Sequence, residues 1–221
     1  MATSALHLIQ LAGGRGLRAG GEDSTPKQFR PTGRGLLFTV SLKEFLALQS
    51  PAGFRPADVV VTVAAPWQEK AAEALETLDI PWALAEAGSS RTASTWNAVR
   101  ILDEEFSPRA DDLVAVHDAA RPFASADLLD RLGRAAAESG GAVPGVAVAD
   151  TIVRSAADGA EYLDRSSLMA VQTPQVFRWD LLEAAHAWAA DQGGDFTDDG
   201  GLLAARGHHP AVVPGEQDNW K

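Results

Sequence analysis

The sequence predicts an α/β protein with a doubly wound, mainly parallel sheet of the Rossmann-like kind, and two observations support this fold class. First, short apolar runs of strand length alternate with longer runs whose apolar residues recur at helical spacing. Such alternation builds βαβ units, in which helices cover both faces of a parallel sheet. Second, a glycine-rich loop directly follows the first apolar run, where sheets of this kind bind their ligands.

Six apolar runs are predicted to be strands and four segments are predicted to be helices. The predicted strands cover residues 6–11, 58–64, 82–85, 112–117, 141–148 and 211–213. Helical spacing is found around Leu42, Leu129 and Leu182, and a fourth helix is predicted over residues 92–101. Ser125 stands in position to cap the helix that contains Leu129.

Length and composition exclude several classes of protein. The chain has 221 residues, enough for one sizeable α/β domain, so we predict a single domain over residues 1–221. A formal net charge of -11 argues against binding to nucleic acid or to anionic membranes. The absence of cysteine excludes disulfides, thiolate metal sites and a cysteine nucleophile. No apolar run is long enough to cross a membrane and no signal-peptide pattern is found, so we expect a cytoplasmic protein.

The first loop combines glycines with positive charge. Residues 1–34 contain five Lys or Arg residues against two acidic ones, although the whole chain is acidic. Gly13, Gly14 and Gly16 let backbone N–H groups approach an anion. Arg15, Arg18 and Lys27 add full positive charges nearby. The loop is therefore predicted to bind a polyphosphate.

Other interpretations of this loop depend on the residues that follow it. A Walker loop needs Lys-Ser/Thr after its second glycine, whereas Leu17 and Arg18 follow Gly16. The dinucleotide fingerprint fits loosely, but Gly20, Gly21 and Pro26 prevent an immediate helix. The loop residues alone do not exclude a third interpretation, a flexible surface turn.

The second signal is the stretch Val116-His-Asp-Ala-Ala-Arg-Pro122, which directly follows a predicted strand. A carboxylate at the carboxyl end of a strand, facing a phosphate-binding loop, can hold Mg²⁺ against phosphate oxygens. Asp118 is that candidate. The structural alternative is a turn in which Asp118 caps backbone N–H groups.

Two further features of the chain remain outside the predicted core and site. Residues 150–167 carry several charges and few apolar side chains, so we expect them to project as a hairpin arm, either a mobile loop or a dimer contact. His7, His186 and the pair His208-His209 lack the spacing of metal ligands and are predicted to be packed or solvated.

The motifs occur in the order found in the 2-C-methyl-D-erythritol 4-phosphate cytidylyltransferases, and the chain resembles that family over nearly its whole length. The combination of P-K-Q-F, H-D-A-A-R-P and Q-T-P-Q is specific to this family and to the related ribitol 5-phosphate cytidylyltransferases, within the nucleotidyltransferase superfamily. The segments that carry the resemblance are residues 11–27, 88–94, 117–122, 150–151, 165, 172–175, 197–198 and 218–221.

The resemblance implies the nucleotidyltransferase fold and a Mg²⁺-dependent reaction. CMP would pass from CTP to 2-C-methyl-D-erythritol 4-phosphate, giving 4-diphosphocytidyl-2-C-methyl-D-erythritol and pyrophosphate in non-mevalonate isoprenoid precursor biosynthesis. Two alternatives stay open: transfer to ribitol 5-phosphate or another sugar phosphate, and a nucleotide-binding homologue with impaired catalysis.

The resemblance also implies roles for individual residues. Arg18 and Lys27 are implied to be catalytic, and Asp118 to bind the metal. The family commonly has Glu before the arginine of the base-binding segment, whereas this chain has Ser90. The implied nucleotide-binding residues are Ala12, Gly13, Gly14, Gly16, Gly88, Arg91 and Ser94. The residues implied to bind the sugar-alcohol phosphate are Arg121, Thr151, Arg165, Thr173 and Lys221.

The family likeness further implies a homodimer with shared active sites. The arm at about residues 150–167 would exchange between subunits, and Arg165 and Thr173 would reach the site of the neighbouring protomer. Family members continue past the D-N-x-K motif, whereas the sequence given ends at Lys221. We expect either a shortened protein or a sequence that covers part of a longer one.

Overall fold

The computed structural model of the chain describes residues 4–14, 25–156 and 159–221, which form twelve strands and six helices. The strands are β1 (Leu6–Leu11), β2 (Pro31–Thr32), β3 (Gly35–Leu36), β4 (Pro56–Val63), β5 (Trp82–Glu86), β6 (Leu113–Asp118), β7 (Gly141–Ala147), β8 (Val153–Ala156), β9 (Gly159–Tyr162), β10 (Met169–Val171), β11 (Gln175–Arg178) and β12 (Ala211–Pro214). The helices are α1 (Leu37–Leu46), α2 (Gln68–Leu75), α3 (Arg91–Phe106), α4 (Ala126–Ser139), α5 (Trp179–Gln192) and α6 (Asp199–Ala205).

Eight strands form one sheet in the order β10-β7-β11-β6-β1-β4-β5, with β12 paired to β7. The pairs β1-β4, β1-β6, β4-β5 and β7-β12 are parallel, whereas β10 and β11 run antiparallel to their neighbours. The predicted doubly wound, mainly parallel sheet is confirmed. The sequence pattern does not predict the antiparallel strands, which have only three and four residues.

The central strand β1 is buried on both faces because its side chains alternate between two cores. Leu6 and Leu8 pack into the cluster formed with α1, α2 and α4. Ile9 packs into the cluster formed with α3, α5 and α6. Full burial of one such aliphatic side chain contributes about 1.5–3 kcal/mol. The alternation therefore fixes which helices cover each face of the sheet.

Four of the six helices, α1, α3, α4 and α5, were predicted from the sequence, and the other two were not. Helix α3 extends beyond the predicted residues 92–101, and α2 and α6 are not predicted because both are short. Ser125 caps α4 as predicted, since its hydroxyl accepts a hydrogen bond from Leu128 N. In the part of the chain that the structure describes, no helix is both long and apolar enough to cross a membrane.

Residues within the predicted arm form a hairpin separate from the main sheet. Strands β8 and β9 pair only with each other in the described structure, with Val153 opposite Tyr162. Both of these side chains are exposed, Val153 to 45% and Tyr162 to 76%. The hairpin is therefore confirmed as an element outside the core, and it carries exposed apolar side chains of its own.

Replacement of the α4 cap tests this local stabilisation. Ser125 accepts from Leu128 N at 3.0 Å and also donates to the carboxylate of Glu216. We expect Ser125→Ala to lower the free energy of unfolding by about 1–2 kcal/mol. Ser125→Thr keeps the hydroxyl and should recover most of the loss in urea unfolding. Equal effects of the two substitutions would contradict a capping role.

Candidate active site

The carboxyl ends of three neighbouring strands meet at one edge of the sheet. Leu11 at the end of β1 is in register with Thr62 of β4 and with Asp118 of β6. A cavity of about 420 Å³ opens above this edge. It is lined by Leu11, Gly13, Gly14, Gln28, Thr62, Gly88, Ser89, Ser90, Arg91, Ser94, Asp118, Ala119, Ala120 and Lys221. Seven of the predicted site residues therefore share one cavity: Gly13, Gly14, Gly88, Arg91, Ser94, Asp118 and Lys221.

The beginning of the glycine loop is held close to the sheet. Ala12 N donates to Thr62 O at 3.0 Å, which extends the pairing of β1 and β4 by one residue. Gln28 Nε2 donates to both Ala12 O and Gly14 O, at 2.7 and 2.6 Å. A Cβ atom on Gly13 would overlap the Cβ of Ala87. Glycine is therefore required at this position by close packing. The predicted residues Arg15, Gly16 and Arg18 lie outside the described residues.

Lys27 stands in a 3₁₀ turn, Lys27–Phe29, that is anchored by its last residue. Phe29 is buried and stacks on Trp67, with ring centroids 5.0 Å apart and an interplanar angle of 22°. The Lys27 side chain is exposed and is not among the residues that line the cavity. The buried aromatic anchor therefore holds the turn, while the ammonium group remains in solvent.

The predicted base-binding segment forms a tight turn into α3. Gly88 N donates to Ser94 Oγ at 3.0 Å, and Ser94 Oγ donates to Ser90 O at 2.8 Å. A Cβ on Gly88 would lie 2.6 Å from the Cβ of Ala93, which is too close for any side chain. Ser90, the departure from the family pattern, caps α3 by accepting from Ala93 N. These bonds fix the backbone that faces the cavity.

Asp118 lies between two cationic side chains. Lys221 Nζ donates to Asp118 Oδ2 at 2.8 Å, and Arg91 Nε lies 3.5 Å from Asp118 Oδ1. Burial acts to raise the pKa of Asp118, but Arg91 and Lys221 outweigh it and lower the pKa below its ordinary value. The carboxylate is therefore ionised at neutral pH. Its side chain pairs with cations in the described structure, which differs from the alternative of a backbone-capping turn.

His117 and Thr173 orient the backbone on which Asp118 stands. Burial lowers the pKa of His117 to about 4, so the ring is neutral at pH 7. His117 Nε2 lies 2.9 Å from Arg121 O, which can only accept, so Nε2 carries the hydrogen. Nδ1 then accepts from the Thr173 hydroxyl at 3.2 Å, and Thr173 Oγ1 accepts from Asp118 N at 3.0 Å.

None of the other residues predicted to bind the acceptor lines the cavity: Arg121, Thr151, Arg165 and Thr173. Arg121 Nη1 donates to Asn219 O at 2.7 Å, beside the segment that carries Lys221. Thr151 and Arg165 are exposed at the base of the arm, where Arg165 Nη1 donates to Ala149 O. Neither lines the cavity of its own chain. Their predicted roles in substrate binding stay predictions.

Several residues that build the site were missed by the sequence analysis. Asp199 pairs with Arg91, and His186 contacts Asp199 from the opposite side. Gln172 Nε2 donates to Glu216 O and Asn219 O, which holds the last segment against β7. Gln172 belongs to the Q-T-P-Q motif, so the motif could have indicated that this residue contributes to the site. Asp199 and His186 had no such signal, because His186 lies inside the long helix α5 and α6, which begins at Asp199, is too short to be recognised from the sequence.

The fold and the cavity define an α/β protein of the nucleotidyltransferase class, with a glycine loop and an ionised carboxylate at the carboxyl edge of the sheet. The chain belongs to the 2-C-methyl-D-erythritol 4-phosphate cytidylyltransferase family, whose model matches residues 6–221. The family predicted from the sequence motifs is thereby confirmed.

Two curated relatives are similar in sequence to almost the whole of this chain. The bifunctional enzyme IspD/IspF of Mesorhizobium japonicum is 37% identical, over 100% of this chain and 52% of its own length. The enzyme of the same name from Rhodospirillum rubrum is 37% identical, over 96% of this chain and 52% of its own length. The chain thus spans about half the length of these curated relatives.

Solved structures share the fold. The 2-C-methyl-D-erythritol 4-phosphate cytidylyltransferase of Thermus thermophilus aligns with a TM-score of 0.72 and 31% identity, over 96% of this chain and 90% of that one. The enzyme of the same name from Francisella tularensis aligns with a TM-score of 0.78 and 25% identity, over 99% and 94%. The predicted nucleotidyltransferase fold is confirmed.

The lowered pKa of His117 makes the stability of the folded protein depend on pH. The pKa of His117 is about 4 in the folded chain and close to 6.5 once the ring is exposed, so the unfolded chain binds more protons between these values. Stability should fall as pH decreases through this window. From pH 7 to pH 5.5 the expected loss is about 1 kcal/mol.

The measurement is urea unfolding of the wild type and of His117→Gln at both pH values. The variant lacks the titrating ring. Its loss of stability between pH 7 and pH 5.5 should therefore be smaller than that of the wild type by about 1 kcal/mol. An identical pH dependence in the two proteins would show that His117 does not make this contribution.

Proposed function

We propose that this chain transfers CMP from CTP to 2-C-methyl-D-erythritol 4-phosphate, forming 4-diphosphocytidyl-2-C-methyl-D-erythritol and pyrophosphate. The observation that carries the proposal is the convergence of the glycine loop, the Gly88–Ser94 turn and Asp118 on one cavity, in a chain of this family. The proposed acceptor follows from the family to which the chain belongs.

The proposed reaction needs no nucleophile from the protein. An oxygen of the acceptor phosphate attacks the α-phosphorus of CTP, a new P–O bond forms, and the bond to the β-phosphate breaks with release of pyrophosphate. Negative charge grows on the departing pyrophosphate and on the oxygens of the transferred phosphoryl group. The contribution of the chain is to hold both reactants in line and to stabilise this charge.

The proposed roles follow from the family likeness and, for Gly13, Gly14, Gly88, Ser94 and Lys221, from their positions at the cavity. Backbone N–H groups of the loop that contains Gly13 and Gly14 would face the triphosphate, with Lys27 and Arg18 supplying positive charge. The turn from Gly88 to Ser94 would take up the nucleoside. Lys221 and Arg121 would bind the acceptor phosphate, for which ammonium and guanidinium groups are well suited.

Mg²⁺ is the proposed cofactor, and the residues present are compatible with it. Asp118 is ionised, faces the cavity and already pairs with the ammonium group of Lys221, so it attracts a cation at this position. No group of three or more metal-ligating side chains occurs within residues 4–14, 25–156 and 159–221. A single carboxylate suits Mg²⁺, which takes most of its other ligands from substrate phosphates and water. When bound, the ion would neutralise charge on the phosphate oxygens.

The assembly proposed is a homodimer that exchanges the arm. The exposed apolar side chains of Val153, Tyr162, Met169 and Val171, on the arm hairpin and on edge strand β10, support it. Exchange would also bring Arg165 towards a neighbouring cavity. The predicted cytoplasmic location and the predicted lack of nucleic-acid binding remain predictions.

The function is tested by pyrophosphate release from CTP and Mg²⁺ with each acceptor offered alone. Turnover with 2-C-methyl-D-erythritol 4-phosphate is expected. Turnover with ribitol 5-phosphate in its place would move the chain to the related polyol enzymes. Release with neither acceptor, in a protein that binds CTP, would favour a homologue with impaired catalysis.

Replacement of Lys27 tests the role of the loop in this reaction. Because Lys27 is proposed to stabilise charge that develops only in the transition state, Lys27→Ala should lower kcat by about 100-fold or more. The steady-state rate of pyrophosphate release measures this effect, and Lys27→Arg, which retains the charge, should lose less. A rate equal to the wild type in Lys27→Ala would remove Lys27 from the mechanism.

A further inference from the structure

Arg91 lies at the first turn of α3 between two carboxylates and contacts them unequally. Its Nη1 is 2.8 Å from Asp199 Oδ2, whereas its Nε is 3.5 Å from Asp118 Oδ1. A guanidinium placed directly against Asp118 could bind both carboxylate oxygens with two parallel hydrogen bonds. Asp199 therefore competes with Asp118 for the same cation.

Asp199 is itself fixed from three sides. Its Oδ1 lies 2.9 Å from Nε2 of His186, and its backbone N donates to Gln175 Oε1 at 3.1 Å. Burial acts to raise the pKa of Asp199, but Arg91 and His186 outweigh it and lower the pKa to about 2. Because the carboxylate is ionised, His186 Nε2 must carry a hydrogen and donate. Asp199 and His186 are each 1% exposed, so neither can rearrange without leaving a charge or donor unpaired in the interior.

We propose that His186 and Asp199 are positioning residues that hold Arg91 back from Oδ1 of Asp118. This keeps Oδ1, the oxygen that does not accept from Lys221, available to a divalent cation that binds with CTP. The pair lies behind the cavity and lines no part of it. Its action passes through Arg91 to the candidate metal ligand. This inference rests on the proposed function, because it concerns the same nucleotide site.

Removing the charge of Asp199 should weaken the binding of Mg²⁺ but not the binding of CTP without metal. In Asp199→Asn, Arg91 loses its closer carboxylate and turns towards Asp118, which weakens the attraction of Asp118 for Mg²⁺. The site also becomes more positive by one charge, which favours the triphosphate alone. General damage to the fold would instead weaken the binding of both Mg²⁺ and CTP.

The experiment is calorimetric titration of CTP into the full chain at a series of Mg²⁺ concentrations and in EDTA. For Asp199→Asn we expect the Mg²⁺ concentration at half-maximal enhancement of CTP binding to rise about tenfold. CTP affinity in EDTA should be equal to that of the wild type or tighter. Asp118→Asn provides the comparison for loss of the metal ligand itself.

The chain contains a matched control at the opposite edge of the same sheet. His7 Nδ1 lies 2.8 Å from Asp58 Oδ2, and both side chains are buried like His186 and Asp199. Asp58→Asn removes the same chemical group from the same kind of pair, at the amino ends of β1 and β4. We expect it to lower the melting temperature without changing the Mg²⁺ requirement.

Variants of His186 separate positioning from packing. His186→Gln can still donate to Asp199 and should keep the Mg²⁺ requirement near that of the wild type, whereas His186→Leu should raise it. An unchanged Mg²⁺ requirement in Asp199→Asn would overturn the inference, as would a parallel loss of CTP affinity in EDTA. Binding is measured without acceptor, so a wild type that binds CTP with Mg²⁺ but does not turn over contradicts only the proposed function. A wild type without Mg²⁺-dependent CTP binding contradicts both.

Discussion

The parallel register of β1 with β4 and β6 is the constraint on which the rest of the structure depends. It places the ends of three strands, at Leu11, Thr62 and Asp118, side by side at one edge of the sheet. Each strand is held there by burial on both of its faces, since a shift of one residue would exchange the two cores. The cavity is therefore a consequence of how the hydrophobic core is packed.

Charge within the site is balanced by groups from distant parts of the chain. Asp118 ends β6, Arg91 begins α3, Asp199 begins α6, and Lys221 is more than one hundred residues from its partner Asp118. Breaking one member of a buried ion pair leaves an uncompensated charge, which is strongly destabilising. The same cluster thus ties together the elements that form the cavity and sets its electrostatic potential.

Much of the site has local signatures that can be predicted from the chain alone. Gly13 and Gly88 are glycines because a Cβ atom would overlap neighbouring groups, and such glycines stand out in the sequence. Asp118 stands out because it follows an apolar run and belongs to the H-D-A-A-R-P stretch. The six predicted strands were recognisable for the same reason, since their apolar runs contrast with the segments around them.

The sequence by itself determined the alternation of strands and helices, the glycine loop, the family and the carboxylate at the end of β6. These features depend on residues that are close together in the chain. Only the tertiary structure decided that β11 inserts antiparallel between β6 and β7, and that His186 and Asp199 support Arg91. The physical reason is that these choices depend on pairing partners that are distant in sequence, and an isolated His or Asp in a helix carries no mark of its future partner.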